Sequence, residues 1–380
     1  MWSSRGTFSS IKEGPLVTTR FSSLEGGGFT DLDDDGDLDL VVAGHIDGPE
    51  AFRNDGGGNF VQVTQGALAL DTGLAITPSF GDYDNDGLMD VFIPMYNETS
   101  HLFHNDGNWQ FTKILLGAGP ETGFGSWGDY DNDGFLDLFI TRGQGNDYSN
   151  LLYHNNGNGT FTQATVGSLT SDVGRSTLAA WGDYNNDGFL DLYVPRQAGQ
   201  AKLLYRNNGN TNHWLMVKLV GTASSRSAIG AKVRASATVF GTPMSQLREI
   251  AGGNRAQNDP RAHFGLGDAT NVATLRIEWP SGIVQELHNV AANQSLTVIE
   301  SQGYSPTNTR PSFTGATNDA SGAKLAFTEP DANARYILEA STNMVTWTKL
   351  MARTSAGSTA QFTDTRATNY AKRFYRLQVP

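Results

Sequence analysis

The 380-residue sequence contains no cysteine, which excludes disulfides, thiolate metal sites and cysteine nucleophiles. It also lacks any run of 18 or more apolar residues, so no transmembrane helix is expected. Residues 1–6 show no charged segment that leads into an apolar one, and no secretory signal is visible in this chain. A protein of this kind that acts outside the cell would need an export signal upstream.

Signatures of nucleic acid binding and of catalysis are missing as well. No basic patch is interleaved with aromatic residues, so no nucleic acid partner is predicted. No His-Glu-x-x-His, Gly-x-Ser-x-Gly or P-loop pattern occurs, so we predict no catalytic residues and no organic cofactor. His104 and His154 stand at a turn position that holds Arg53 and Arg206 in related segments. We interpret both histidines as surface residues rather than metal ligands.

An acidic segment of nine residues occurs four times and organises the first 210 residues. The copies, here called loops 1 to 4, are residues 31–39, 82–90, 129–137 and 183–191, and each reads D-x-[DN]-x-D-G-x-x-D. Carboxylates this close repel one another, and a hard divalent cation bound through oxygen atoms removes that repulsion. Calcium suits such a cage, and the glycine allows the sharp turn that returns the last aspartate to the ion. The predicted calcium ligands are the side chains of Asp31, Asp33, Asp35, Asp39, Asp82, Asp84, Asp86, Asp90, Asp129, Asp131, Asp133, Asp137, Asp183, Asn185, Asp187 and Asp191.

Two other interpretations of these loops fit the sequence less well. An EF-hand opens in the same way, but it needs flanking helices and a glutamate at loop position twelve. That position holds Val42, Ile93, Ile140 or Val194, in short apolar runs that are typical of strands. The ions are therefore predicted to lie in loops between two strands. Four acidic turns without metal are the plainer alternative, which the recurrence of the acidic residues at identical offsets disfavours.

The loops account for much of the net charge of the chain. Its formal value is −12, and the loops carry fifteen carboxylates at the predicted ligand positions. About four calcium ions would bring the net charge to −4. Loop 4 has one negative charge fewer because of Asn185, and we predict that it binds its ion most weakly.

The residues around each loop repeat too. The first aspartates are 51, 47 and 54 residues apart, which is the size of a four-stranded propeller blade. Asn-Gly or Asp-Gly pairs mark a hairpin in each copy. The fourth copy lacks its last strand, whereas residues 5–11 match the missing segment. Either this N-terminal strand completes the last blade or it is the tail of another blade. An aromatic residue that precedes each loop by two positions is predicted to lie between blades: Phe29, Phe80, Trp127 and Trp181.

On these motifs, residues 1–210 resemble FG-GAP (VCBS-type) repeats, the calcium-loop blades also found in integrin α-subunit propellers. The resemblance implies an all-β chain that begins with a β-propeller of four recognisable blades, closed or partial. It also implies the ligand set given above, supplemented by the backbone carbonyl groups of Asp37, Leu88, Phe135 and Phe189.

The rest of the chain is predicted to be β-rich as well. Residues 211–301 resemble the ASPIC/UnbV domain, which follows FG-GAP propellers in secreted bacterial proteins and in a cartilage acidic protein family. The segments that carry this resemblance are residues 213–219, 225–233, 263–267 and 277–282. Residues 302–311 contain two prolines and read as a polar linker. Residues 312–380 show regularly spaced strands that predict a small β-sandwich, similar to fibronectin-type-III-like modules.

These observations predict a calcium-binding scaffold that acts outside the cell or at its surface. We expect it to bind a protein or a polysaccharide through loops at one face of the blades, without catalysis and without membrane insertion. The alternative is an accessory part of a polysaccharide-active enzyme, or a fragment of a larger secreted protein.

Overall fold

The structure is a computed structural model, and the regular secondary structure of the residues it describes is almost entirely β-strand. It describes residues 10, 12–19, 23–44, 47–96, 98–117, 122–143, 145–251, 258–301, 313–319, 321–328, 332–342, 348–356, 359–370 and 372–378. The chain divides into two compact units, residues 1–301 and 302–380. None of the described helices is long and apolar enough to span a membrane.

Each of the four repeats forms one antiparallel sheet, and these are called sheets 1 to 4. A short helix, α1 (Pro15–Thr18), precedes sheet 1. Sheet 1 contains β1 (Leu24–Thr30), β2 (Asp39–Gly44), β3 (Gly48–Asn54) and β4 (Phe60–Val63). Sheet 2 contains β5 (Ser79–Gly81), β6 (Asp90–Ile93), β7 (His101–Gly107) and β8 (Gln110–Leu115).

Sheets 3 and 4 follow the same plan. Sheet 3 is formed by β9 (Thr122–Gly128), β10 (Asp137–Arg142), β12 (Leu151–Asn155) and β13 (Phe161–Ala164). A separate two-stranded ribbon pairs β11 (Tyr148–Ser149) with β14 (Val173–Gly174), and α2 (Gly167–Ser171) lies between them in the chain. Sheet 4 has three strands: β15 (Ala180–Gly182), β16 (Asp191–Val194) and β17 (Leu203–Tyr205). Residues 5–11, for which the sequence left open whether they complete this sheet or belong to another blade, lie outside the described residues except for Ser10.

Every acidic loop joins the first two strands of its sheet, and the second strand begins at the last aspartate of the loop. The apolar residue at loop position twelve lies three residues after this aspartate, within β2, β6, β10 or β16. The prediction of strands rather than EF-hand helices is therefore confirmed. Alternate side chains of each strand point to opposite faces of the sheet. A sheet that lies between two other sheets can therefore pack against a neighbour with each of its faces.

The four sheets form a row in which each one packs against the next through buried apolar side chains. Sheets 1 and 2 share a cluster that includes Val41 and Phe103, and sheets 2 and 3 share one that includes Phe92 and Leu138. Sheets 3 and 4 share a third cluster around Phe139. Trp127 and Trp181 are buried in these interfaces, as predicted for the aromatic residue before the loop, whereas Phe29 at the start of the row is exposed. Within the described residues the sheets form no closed ring.

The remainder of the first unit, residues 213–301, is here called the second β region. One three-stranded sheet contains β18 (His213–Val220), β21 (Ala262–Gly267) and β24 (Gln294–Ile299), with β18 and β24 parallel. A four-stranded antiparallel sheet contains β19 (Lys232–Val239), β20 (Thr242–Glu249), β22 (Asn271–Glu278) and β23 (Val284–Ala291). A single apolar core joins the two sheets. Residues 225–231, within one of the segments that carry the ASPIC/UnbV resemblance, form turns.

The second unit contains two three-stranded antiparallel sheets that share one apolar cluster around Phe327 and Leu338. One sheet is formed by β25 (Phe313–Asp319), β26 (Gly322–Thr328) and β29 (Thr359–Asp364). The other is formed by β27 (Ala332–Ser341), β28 (Thr348–Ala356) and β30 (Phe374–Gln378), and a 3-10 helix spans Ala367–Asn369. Strand β25 was not predicted from the sequence. The predicted linker, residues 302–311, lies outside the described residues.

Candidate metal centre

The four acidic loops have one backbone conformation. Their fourth residue is left-handed, with φ near +60° at Asp34, Asn85, Asn132 and Asn186. Asparagine and aspartate tolerate this conformation better than most residues, and the following glycines at loop position six have φ between +88° and +99°. The sequence therefore selects the turn through residue types at two positions, and that turn gathers the acidic side chains.

Backbone N–H groups of the loop and of the third strand orient the first and last carboxylates of the loop. In loop 3, Asp129 accepts hydrogen bonds from the N–H groups of Asp133 at 3.1 Å and Gly134 at 2.9 Å. Asp137 accepts from the N–H of Tyr130 at 3.2 Å through one oxygen and from the N–H of Asn155 at 2.9 Å through the other. Backbone hydrogen bonds alone therefore hold both carboxylates in place.

Loops 1, 2 and 3 bring carboxylate ligand atoms to within 4.8 Å of one another. In each of them three predicted ligands meet this criterion. The groups are Asp31, Asp33 and Asp39; Asp82, Asp84 and Asp86; and Asp129, Asp131 and Asp133. The spacing suits a cation that several oxygen atoms bind at once.

Loop 4 differs from the other three. Asp183, Asp187 and Asp191 do not bring three ligand atoms this close together, although all of them lie in the described part of the chain. The amide of Asn185 donates instead to Asp187 at 2.7 Å. In loops 1 to 3 one predicted ligand each stays outside these carboxylate groups: Asp35, Asp90 and Asp137. Asp35 accepts the N–H of Asp37 at 2.8 Å.

The chemistry of these groups fits a cation. Three buried carboxylate oxygens have no hydrogen-bond donor: Asp33 Oδ1, Asp82 Oδ1 and Asp131 Oδ1. Burial, and then the neighbouring Asp90, raises the pKa of Asp82 to about 8. Burial, and then Asp131, raises the pKa of Asp133 to about 7. Carboxylates that resist ionisation in this way are stabilised by a positive charge placed between them.

His104 and His154 lie beside the loops, which sequence reasoning did not predict. The Nδ1 atom of His104 is 3.3 Å from Asp90 Oδ1 and 3.4 Å from Asp84 Oδ2. His154 has the same relation to Asp137 and Asp131, at 3.1 and 3.5 Å. Each histidine therefore forms a further possible ligand group with two loop carboxylates. The signal was the repeat itself, because a basic residue stands at this position in every copy.

The loops are also joined to one another. The amide of Asn85 in loop 2 donates to the carbonyl of Gly134 in loop 3 at 3.1 Å, and Asn132 in loop 3 donates to Gly188 in loop 4 at 3.2 Å. Loop 1 carries Asp34 at this position, which has no amide to donate. Arg234 bridges the gap, since it contacts both Asp34 at 2.7 Å and the carbonyl of Gly87 at 3.2 Å.

A second asparagine links each of sheets 2, 3 and 4 to the loop before it. Asn155, at the end of β12, donates to the carbonyls of Tyr83 in loop 2 at 2.7 Å and Leu136 in loop 3 at 3.1 Å. Asn105 and Asn207 make the equivalent pairs of bonds in sheets 2 and 4. The sequence showed these asparagines only as parts of hairpin turns.

Cations of the second β region lie against the loops. Lys232 forms ion pairs with Asp31, at 2.5 Å, and with Asp34. Arg248 is buried, which lowers the pKa of its guanidinium, while the charges of Asp129 and Asp82 partly offset this effect. His263 contacts the carbonyl of Gly188 at 3.1 Å. These contacts were not predicted, although the two-residue spacing of Lys232 and Arg234 places both on one face of a strand.

A cavity of about 240 Å³ is lined by the first strand of each of the four sheets (β1, β5, β9 and β15) and by β20. Its lining is mainly apolar and aromatic, and includes Trp127, Trp181 and Leu247. Arg248 and Glu249 are among its charged residues. Glu249 accepts a hydrogen bond from the hydroxyl of Thr30 at 2.8 Å, so β20 is tied to the end of β1.

Comparison with known proteins identifies two families within the chain. Residues 31–93 and 129–194 match the FG-GAP-like repeat, and residues 221–305 match the ASPIC and UnbV family. The chain therefore contains FG-GAP-like repeats and an ASPIC/UnbV domain. A fibronectin-type-III relationship of residues 312–380 is not shown.

Among curated proteins, the chain is similar to cartilage acidic protein 1. It is 28% identical to the Homo sapiens protein over 283 residues, which is 66% of this chain and 39% of that protein. It is 33% identical to the Xenopus tropicalis protein over 123 residues, 30% of this chain and 18% of that protein. The chain thus spans about two fifths of the length of the human relative. A solved glycoside hydrolase is 10% identical over 94% of this chain and 95% of its own, and its TM-score of 0.27 carries no argument.

Proposed function

We propose that the chain is a calcium-stabilised modular scaffold that binds a protein or a polysaccharide outside the cell or at its surface. The observation that carries the calcium part is the convergence of carboxylate oxygens to within 4.8 Å in three loops of identical backbone conformation. The similarity to cartilage acidic protein 1 supports the extracellular location.

The proposed ligands are the loop side chains predicted from the sequence, with the closest sets in loops 1, 2 and 3. Calcium would supply the positive charge that these buried carboxylates lack, and it would hold the first two strands of each sheet together. Loop 4 is expected to bind its ion most weakly, because Asn185 replaces one carboxylate. In loops 2 and 3 the neighbouring histidines would have to be neutral to act as ligands.

We further propose that sheets 1 to 4 are blades of a β-propeller. The FG-GAP-like repeats and the blade-sized spacing support this arrangement. In such a scaffold the strands supply rigidity and the connecting loops supply the contacts with partners. The proposal includes no catalytic role, and hydrolysis of any member of a polysaccharide panel by the purified chain would contradict that part.

The experiment is a calcium count per chain, by equilibrium binding and metal analysis, with thermal melts in calcium and in chelator. We expect three tightly bound ions, a weaker fourth, and a melt that shifts to lower temperature in chelator because the ions bind only the folded state. Asp133→Asn should remove the loop 3 ion, while Asp147→Asn, an exposed aspartate outside the loops, should leave the count unchanged. A wild-type chain that binds no calcium would overturn the proposal.

A further inference from the structure

The interface between sheets 2 and 3 and the interface between sheets 3 and 4 repeat one aromatic contact. Phe92 of sheet 2 meets Trp127 of sheet 3 edge to face, with ring centres 6.3 Å apart. Phe139 of sheet 3 meets Trp181 of sheet 4 in the same way, at 6.1 Å. All four rings are buried. One partner comes from the second strand of a sheet and the other comes from the first strand of the next.

At the two ends of the row, the residues at these Phe and Trp positions have no aromatic partner from a neighbouring sheet among the described residues. In sheet 4 the position of Phe92 and Phe139 is taken by Tyr193, which is 44% exposed. In sheet 1 the position of Trp127 and Trp181 is taken by Phe29, which is 53% exposed. Leu204, the sheet 4 equivalent of the fully buried Leu102 and Leu152, is 59% exposed. One end therefore presents a second-strand aromatic and the other presents a first-strand aromatic.

The polar links between sheets are also incomplete at the two ends, in a complementary way. Asn54 of sheet 1 donates to Leu38 of its own loop, whereas its equivalents reach the preceding loop as well. The acceptor at the corresponding position of loop 4 is the carbonyl of Tyr184, to which no side chain in the described part of the chain donates. A donor at the start of the row thus matches an acceptor at its end.

The link between loops shows the same complementarity. Asn85 and Asn132 each donate to the position-six glycine of the next loop. Asn186 of loop 4 has no following loop within the chain, and its side-chain oxygen instead accepts from Arg261 at 3.3 Å. The carbonyl of Gly36 in loop 1 receives no side-chain donor from the described residues. Asn186 and Gly36 are the groups that a continuing row would join.

We propose that two copies of this chain associate head to tail, with the exposed face of sheet 4 in one copy docked on sheet 1 of the other. Tyr193 then packs against Phe29 of the second copy, and the amides of Asn54 and Asn186 find the carbonyls of Tyr184 and Gly36. Phe52, in the third strand of sheet 1, is already buried. The proposed contact therefore involves β1 of one copy, β16 of the other, and the acidic loops. Such a contact is heterologous, and it forms a closed ring when the rotation between copies allows it.

The first test is the molar mass of the full chain over a range of concentrations, measured by light scattering in calcium buffer. We expect the mass to rise above the 41.0 kDa of one chain as the concentration increases. Tyr193→Asp should raise the dissociation constant about tenfold or more, because a carboxylate cannot replace the aromatic contact. Leu115→Asp changes a more exposed residue outside the proposed surface and should leave the mass unchanged. A wild-type chain that stays at 41.0 kDa at all concentrations would overturn the proposal.

The second test uses the absence of native cysteine. A chain with Tyr193→Cys is mixed with a chain with Phe29→Cys under mild oxidation, and each is also oxidised alone. A cross-link that forms only in the mixture supports the head-to-tail contact. Cross-linking of the Tyr193→Cys chain with itself at least as fast as in the mixture would show a face-to-face contact and overturn the proposal.

Discussion

The asparagine that links sheet 3 to loop 2 allows a sharp test of how the row is held together. Asn155 is 1% exposed, and its amide donates to the carbonyls of Tyr83 and Leu136 while its oxygen accepts the N–H of Gly157 at 3.0 Å. Asn155→Ala leaves both carbonyls without this donor. Each buried acceptor that loses its partner costs about 1–3 kcal/mol, so the free energy of unfolding should fall by about 2–6 kcal/mol.

The matched control is Asn54→Ala at the same position of sheet 1. That side chain is less buried, and its amide reaches one carbonyl, Leu38, at 3.2 Å. We expect a cost of about 1 kcal/mol, because water can replace a hydrogen bond at this site. The two substitutions remove the same atoms, so the difference between them measures the link to the preceding loop.

The assay is urea denaturation followed by tryptophan fluorescence, with the free energy of unfolding obtained by linear extrapolation. A loss of several kcal/mol is large against the 5–15 kcal/mol that stabilises a typical domain. If Asn155→Ala and Asn54→Ala lowered the free energy of unfolding by the same amount within about 0.5 kcal/mol, the reasoning about the inter-sheet link would be refuted.

Three further predictions concern the second β region and its contacts. Burial, followed by the charges of Arg248 and Arg261, lowers the pKa of His263 to about 4, although its bond to Gly188 and the charge of Asp259 act in the opposite direction. Stability that is complete above the unfolded pKa of about 6.5 should therefore fall by about 3 kcal/mol as the pH drops to about 4, and His263→Gln should flatten that part of a pH–stability curve. Although burial raises the pKa of Glu300, hydrogen bonds from Ser281, Thr222 and Ser224 lower it to about 2. Glu300→Gln should cost about 2 kcal/mol at neutral pH and should reduce the loss of stability below about pH 4.5, whereas Glu286→Gln at an exposed site should have little effect in the same measurements. Gly188→Ala would place a methyl group 1.8 Å from Trp214 at a φ of +88°, and we expect a loss of about 3 kcal/mol in urea unfolding. Gly36→Ala, at φ +98° with open space around it, should lose only about 1–2 kcal/mol, and equal losses would contradict the steric argument.

The sequence predicted what depends on local residue type. Short runs of apolar residues after each loop indicated β2, β6, β10 and β16, and the spacing of the aspartates indicated which side chains converge. Asn85 and Asn155 could not be understood in this way, because their partners lie 49 and 72 residues away. Their contacts exist only once the sheets are side by side.

The departures from prediction have the same origin. The contacts of His104 with Asp84 and Asp90 were not predicted, because nothing local showed that the third strand returns to the end of the loop. Phe29 was expected in the core by analogy with Trp127, and it is exposed because no described sheet precedes sheet 1. Lys232 reaches Asp31 across about 200 residues of chain. Contacts of this kind depend on the tertiary fold, which local patterns do not specify.

The contacts between the second β region and the loops change how the row of sheets should unfold. Sheets that touch only their neighbours behave as a one-dimensional array, in which the ends open first and openings spread inward. Lys232, Arg234 and His263 instead tie loops 1, 2 and 4 to a single compact core. Opening any of these loops then requires its contacts with the core of the second β region to break. Residues 24–301 should therefore unfold as one cooperative unit rather than sheet by sheet.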